Sequence, residues 1–209
     1  MKTHIYIRKP FFYSKNGFLF ISFLIVAGSF LCTRDLLTWF LEVFPIIVGA
    51  PLLYVTFDKF RFSSIIYFLV LIHFVILAVG SVYTYAEVPL GFWMQDWFGF
   101  ERNNYDKIGH FAQGFVPALI ARELLLRTSS LNRGKWLHFI VLSICLAISA
   151  LYELIEWWVA IFQGASSEAF LGTQGYEWDT QSDMFWALIG AVSALLLLSR
   201  VQDKQIERI

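Results

Sequence analysis

Several apolar runs in this chain approach or exceed the roughly 18 to 20 residues an α-helix needs to cross a bilayer. No other feature constrains the fold as tightly. In hydrocarbon every backbone N–H and C=O must find its partner within the protein, so runs of this length read as helices. Composition agrees. Hydrophobic residues make up 58% of the 209 and charged residues 15%, against about a quarter charged in soluble domains. The mean hydropathy is +0.62. The net charge of zero says little, since in a membrane protein the placement of charge decides. No nucleic-acid partner is expected; the bilayer is. Cys32 and Cys145 fall in apolar runs without paired spacing and read as small buried hydrophobes. The basic, then apolar, N-terminus lacks a small-residue cleavage site and reads as a retained first helix.

The expected architecture is all-α: one polytopic domain over 1–209, with about six transmembrane helices at 17–32, 36–57, 62–86, 106–126, 136–162 and 179–199. Pro45 and Pro51 predict kinks in the second. The linker 87–105 mixes Phe92, Trp93, Trp97, Phe98 and Phe100 with scattered charge, which suits a segment lying on the membrane surface. Residues 163–178 are small and polar and read as a loop. With both termini on the cytoplasmic side, thirteen of the sixteen lysines and arginines face inward; Arg34, Arg102 and Lys107 face out.

That orientation collects the acidic residues. On the fourth helix Asp106, His110 and Gln113 share one face; on the fifth, Glu153 and Glu156; on the sixth, Asp179 and Asp183. All lie in the outer part of the bundle, and the inner half is expected to hold almost no acid. Carboxylates in a span are costly and persist where they face a cavity, pair with cations or bind metal. Lys107 and Arg102 are the only nearby bases, so the acids would repel one another and a divalent cation would relieve that directly. Oxygen ligands with one imidazole suit Zn, Mn, Mg or Fe. The expected ligands are Asp106, His110, Glu153 and Asp179, with Glu156 and Asp183 as catalytic carboxylates. Gln113, Thr180 and Gln181 would contact substrate or orient ligands. Blander roles stand beside these. Asp106 and Asp179 could be helix N-caps, Glu153 and Glu156 solvated helix ends, His110 a packing residue. Glu42 and His73, single polar groups, read as structural.

Four blocks go beyond spacing: residues 83–90 (YTYAEVPL), 103–118 (NNYDKIGHFAQGFVPA), 152–158 (YELIEWW) and 170–184 (FLGTQGYEWDTQSDM). Together they closely resemble the YjdF-type bacterial inner-membrane protein family, over roughly residues 36 to 199. The resemblance implies a multi-pass bacterial inner-membrane protein and brings no catalytic residues with it. A shorter likeness is to the VanZ-like membrane proteins, through Asp106, Lys107, His110 and Phe111 at the start of a helix. It implies cell-envelope lipids or lipid-linked precursors as the ligand class. The reading is a membrane protein with a polar site in its outer half, acting as a metal-dependent hydrolase of a lipid-linked substrate. The alternatives are an ion- or proton-coupled transporter, which a matching polar path in the inner half would favour, and a non-catalytic envelope accessory protein.

Overall fold

A computed structural model describes residues 10–163 and 173–209. Among them are seven α-helices: α1 (Lys15–Cys32), α2 (Leu36–Thr56), α3 (Ser64–Tyr83), α4 (Pro89–Phe98), α5 (Tyr105–Thr128), α6 (Lys135–Gln163) and α7 (Asp179–Ile206). Local chemistry sets several ends. The Asp35 carboxylate accepts from the Leu37 and Thr38 N–H groups to start α2, and Ser14 accepts from the Gly17 N–H to start α1. Gly99, at φ 68°, closes α4 in the left-handed conformation. Helix α2 runs continuously through Pro45 and Pro51.

Five helices, α1, α2, α3, α6 and α7, are long and apolar enough to cross a membrane. The exception is the centre of the molecule. Helix α5 has 24 residues, or roughly 36 Å, yet is too polar to qualify by composition. It packs against α3, α6 and α7, which screen it from lipid, so its side chains need not be lipid-soluble. The tightest seam is with α7. A Cβ on Gly114 would lie 1.7 Å from the Ala187 carbonyl oxygen, and one on Gly190 would lie 2.0 Å from that of Phe111. The stripe of Ala187, Gly190, Ala191 and Ala194 is thus what lets the two backbones touch.

Helix α2 packs on α1 and α3, and among the described residues it has no substantial contact with α5 or α6. A cleft floored by α3 therefore separates α2 from the α5–α6 pair. At one end of the bundle lie the residues before α1, the α2–α3 connection and the end of α7. There Tyr13 donates to the Phe62 carbonyl, Lys15 pairs with Asp58, and Gln205 accepts from Ser64 Oγ and the Ile65 N–H. This is the terminal end; the opposite one is the site end.

Four expectations change. The last helix continues to Ile206 rather than stopping at 199, because Gln202 and Asp203 reach Leu119 and Arg122 of α5. The third stops at Tyr83, where Thr84 turns the chain at φ 59°. Cys32 is exposed, whereas Cys145 is buried as expected. The half expected to hold almost no acid contains Glu123, fully buried. Of the expected loop 163–178, residues 164–172 lie outside the described residues, as do Lys2, Arg8 and Lys9 of the basic arm.

Candidate functional site

The first two turns of α5 and the first two of α7 face each other at the site end. Asp106 and His110, one turn apart on α5, put His110 Nε2 3.2 Å from Asp106 Oδ1. Asp183 of α7 brings its Oδ2 to 3.7 Å from the same nitrogen. The three residues are buried among the described residues, and each offers a ligand atom within 4.8 Å of the other two. They could hold a metal ion. On the other side of the ring, His110 Nδ1 lies 3.0 Å from Gln113 Oε1. With Nδ1–H donating to that oxygen, the Nε2 lone pair points at two carboxylates, and three acceptors converge where a cation would satisfy all of them.

Glu153 of α6 lies on the other edge of the ring, near Nδ1. Its Oε1 is buried, has no hydrogen-bond partner and lies 3.9 Å from His110 Nδ1. The same carboxyl group is reached by the hydroxyl of Thr180. An orphaned carboxylate oxygen in a protein interior calls for a proton or a cation.

Two bases hold the rim. Lys107 Nζ lies 2.5 Å from Asp183 Oδ1, 3.1 Å from Asp179 Oδ1 and 3.3 Å from Asp106 Oδ2. Arg102 donates to Asp179 Oδ1 at 2.5 Å and to the Thr173 carbonyl at 2.6 Å, with Tyr176 stacked under its guanidinium. Asn103 ties the rim together: its Nδ2 donates to the Val88 carbonyl and its backbone N–H to Gln174 Oε1. Only a glycine fits opposite it, since a Cβ on Gly91 would lie 1.6 Å from Asn103 Oδ1.

Beside the cluster, in the upper part of the α2–α5 cleft, is a cavity of about 200 Å³. Glu42, His73, Asp106, His110, Gln113 and Glu156 line it, with Tyr85 and Tyr152. Tyr85 is placed by three residues. Thr84, β-branched yet at positive φ, swings it back over the bundle, a conformation that costs about 1–3 kcal/mol. Gly80 and Gly109 make room for its ring, which a Cβ at either position would approach to 2.3 or 2.8 Å.

The expected residues therefore divide. Asp106, His110, Gln113, Glu153, Glu156 and Asp183 come together, with Asp183 among the metal-ligand candidates rather than apart from them. Asp179 is close but held by Arg102 and Lys107. Thr180 is exposed and meets the site only through Glu153; Gln181 is exposed and lines no part of the cavity. Neither aspartate is an N-cap, since Asn104 and Trp178 occupy those positions. Nor is Glu153 a solvated helix end, at 7% exposure. Glu42 and His73, expected to be structural, are walls of the cavity. The available signal was a carboxylate two turns inside an apolar span, where an ionisable group marks a functional site by default. Tyr85 gave no such signal, because its position depends on a backbone reversal.

A family model described as "Predicted membrane protein (DUF2238)" matches residues 15–204. The chain is 46% identical over 200 residues to "Inner membrane protein YjdF" of Escherichia coli (strain K12), an alignment that covers 96% of this chain and 95% of that protein. No solved structure matches it.

Proposed function

This chain belongs to the DUF2238 family of predicted membrane proteins and is a multi-pass inner-membrane protein; we propose that it is a metal-dependent hydrolase of a lipid-linked substrate. The supporting observation is the convergence of Asp106, His110 and Asp183 on one point, with the orphaned Glu153 oxygen beside them. Asp106, His110 and Asp183 hold the divalent ion (Zn, Mn, Mg or Fe), while Glu153, expected among the ligands, sits across the ring at Nδ1 and adds negative charge there. Gln113 fixes the imidazole, while Lys107, Arg102 and Asp179 brace the first turns of α5 and α7. A bound ion of this kind polarises a phosphoryl or acyl oxygen and acidifies water. Glu156, half-buried on the cavity wall, is the general base that takes a proton from attacking water. Glu42 and Tyr85 face the substrate from the α2 side.

The carrier reading has one observation in its favour, a second polar cluster at the terminal end around Arg122 and Glu123. Between the two clusters, however, the cleft is walled almost wholly by apolar groups, which suits a hydrocarbon chain better than an ion. The lysine and arginine distribution supports cytoplasmic N- and C-termini, and hence a site that opens on the periplasmic side.

The test is metal content. Protein purified in lipid nanodiscs is expected to carry a divalent ion by elemental analysis, lost in His110→Ala and Asp183→Asn at unchanged helix content. Equal metal in wild type and both variants removes the proposal's support.

A further inference from the structure

We infer that the lower part of the α2–α5 cleft seats a hydrocarbon chain of the substrate, so that the ligand is a phosphate-bearing membrane lipid that enters sideways from the bilayer. The polar end of this inference rests on the metal reading above; the apolar end stands on separate observations.

The first is continuity. Below the polar cavity lies a second one of about 360 Å³, and the two share Pro45, His73, Leu77 and Pro117 as walls. A molecule lying across that shared wall touches both. The second observation is chemical. Past His73 the lining turns apolar, with Leu53, Phe74, Val116 and Ile120 and only Thr56 as a polar neighbour. A cavity walled this way stays dry and takes hydrocarbon. The third is length. From Pro45 to Thr56 the cleft follows α2 for roughly 16 Å at 1.5 Å per residue, so a chain laid in it from the polar cavity runs past the middle of the bundle towards the terminal end. The fourth is access. With no substantial contact between α2 and α5 among the described residues, the cleft is open along its side, and Leu52 and Leu124 at its mouth are 58% and 38% exposed. A lipid needs no passage through water to reach it. At the polar end, a bound divalent ion would offset part of the carboxylate charge and offer an anionic oxygen a direct partner, and the phosphate of a lipid is the anion that comes attached to a chain.

The test uses full-length protein in phosphatidylcholine nanodiscs doped with a phosphatidic acid that carries a diazirine midway along one chain. After irradiation, labelled residues are mapped by mass spectrometry. Labelling is expected to concentrate on α2 around Gly49 and Leu53 and on α5 around Ile120, well above that on the outward-facing Leu196 and Leu197 of α7. Gly49→Leu then fills the cleft. A Cβ there meets only the Phe74 ring at 3.7 Å, and exchanging a helical glycine for leucine favours the helix, so the variant folds. It is expected to lose cleft labelling several-fold while keeping wild-type divalent-metal content; Ile120→Phe repeats the block from the facing wall, and Leu196→Phe serves as a neutral control. Even labelling of all lipid-facing helices, or cleft labelling that neither blocking variant reduces, overturns the inference. Failure of the metal reading is seen elsewhere, as wild-type protein without any bound divalent ion, and leaves the labelling pattern unchanged.

Discussion

Helix α5 carries a buried polar cluster at each end, and the two differ in charge balance. At the terminal end Glu123 is fully buried, and its oxygens accept from the Ser63 N–H at 2.9 Å, Ser63 Oγ at 2.7 Å and Arg127 at 2.8 Å. Arg122 beside it donates to Gln202 at 2.9 Å and to Asp203 at 2.8 Å. Two acids, Glu123 and Asp203, meet three arginines, since Arg133 also pairs with Asp203 at 3.1 Å, and the charged group left with an orphan atom is a donor, Arg122 Nε. At the site end Asp106, Asp179, Asp183, Glu153, Glu156 and Glu42 face Lys107, Arg102 and one histidine, and the orphan is an acceptor. Acids that each meet at least one arginine fasten helices together. A surplus of one sign next to a cavity stays in place only where something from outside completes it.

The largest expected effect is at the fastening end. Glu123→Ala leaves Arg127 and the Ser63 donors without their buried acceptor, a change of about 3–5 kcal/mol for one half of such a pair. A large drop in the melting temperature of the purified protein is the outcome to look for. A drop no greater than that of a site-end carboxylate variant would break the comparison. Next comes the seam between the clusters. Gly190→Val puts side-chain atoms where the Phe111 carbonyl already lies, 2.0 Å from the new Cβ, and overpacking of this kind costs about 1–3 kcal/mol. Asp183 and Gln202 both ride on α7, so stability and bound metal should fall together. Loss of one without the other would mean that the two ends are not mechanically joined.

These contrasts mark where the sequence could be read and where it could not. Lengths of apolar runs marked α1, α2, α3, α6 and the start of α7 to within a few residues, because such runs depend little on neighbours, whereas α5 is too polar to count as a span by composition. Periodicity placed Asp106 with His110 and Glu153 with Glu156 for the same local reason. The rest depended on partners. Glu123 sits one turn before Arg127, near the end of the expected fourth helix; only its pairing with Ser63, 60 positions away, shows it as an interior group. Lys107, between two residues of the expected site, reads only as one of two nearby bases; its burial among three aspartates depends on α7. The end of α7 looks like a charged tail until Gln202 is seen donating to the Leu119 carbonyl. Spacing shows which groups share a face, but not what lies opposite.

The smallest expected effect on stability separates a site from a scaffold most sharply. Glu153→Gln and Glu156→Gln each remove one negative charge from the crowded end and leave side-chain size nearly unchanged. Neither residue has an ion-pair partner among the fixed cations Lys107 and Arg102, so no attraction to a lysine or arginine is lost while repulsion from Asp106 and its neighbours falls. Melting temperatures are expected at or above wild type, within the ~0.5 kcal/mol typical of substitutions that break no strong interaction. Metal content should hold in both, because neither residue is among the three that converge at His110 Nε2. A clear loss of stability in both would instead make these carboxylates part of the fastening, and the site end would then differ from the terminal end in degree only.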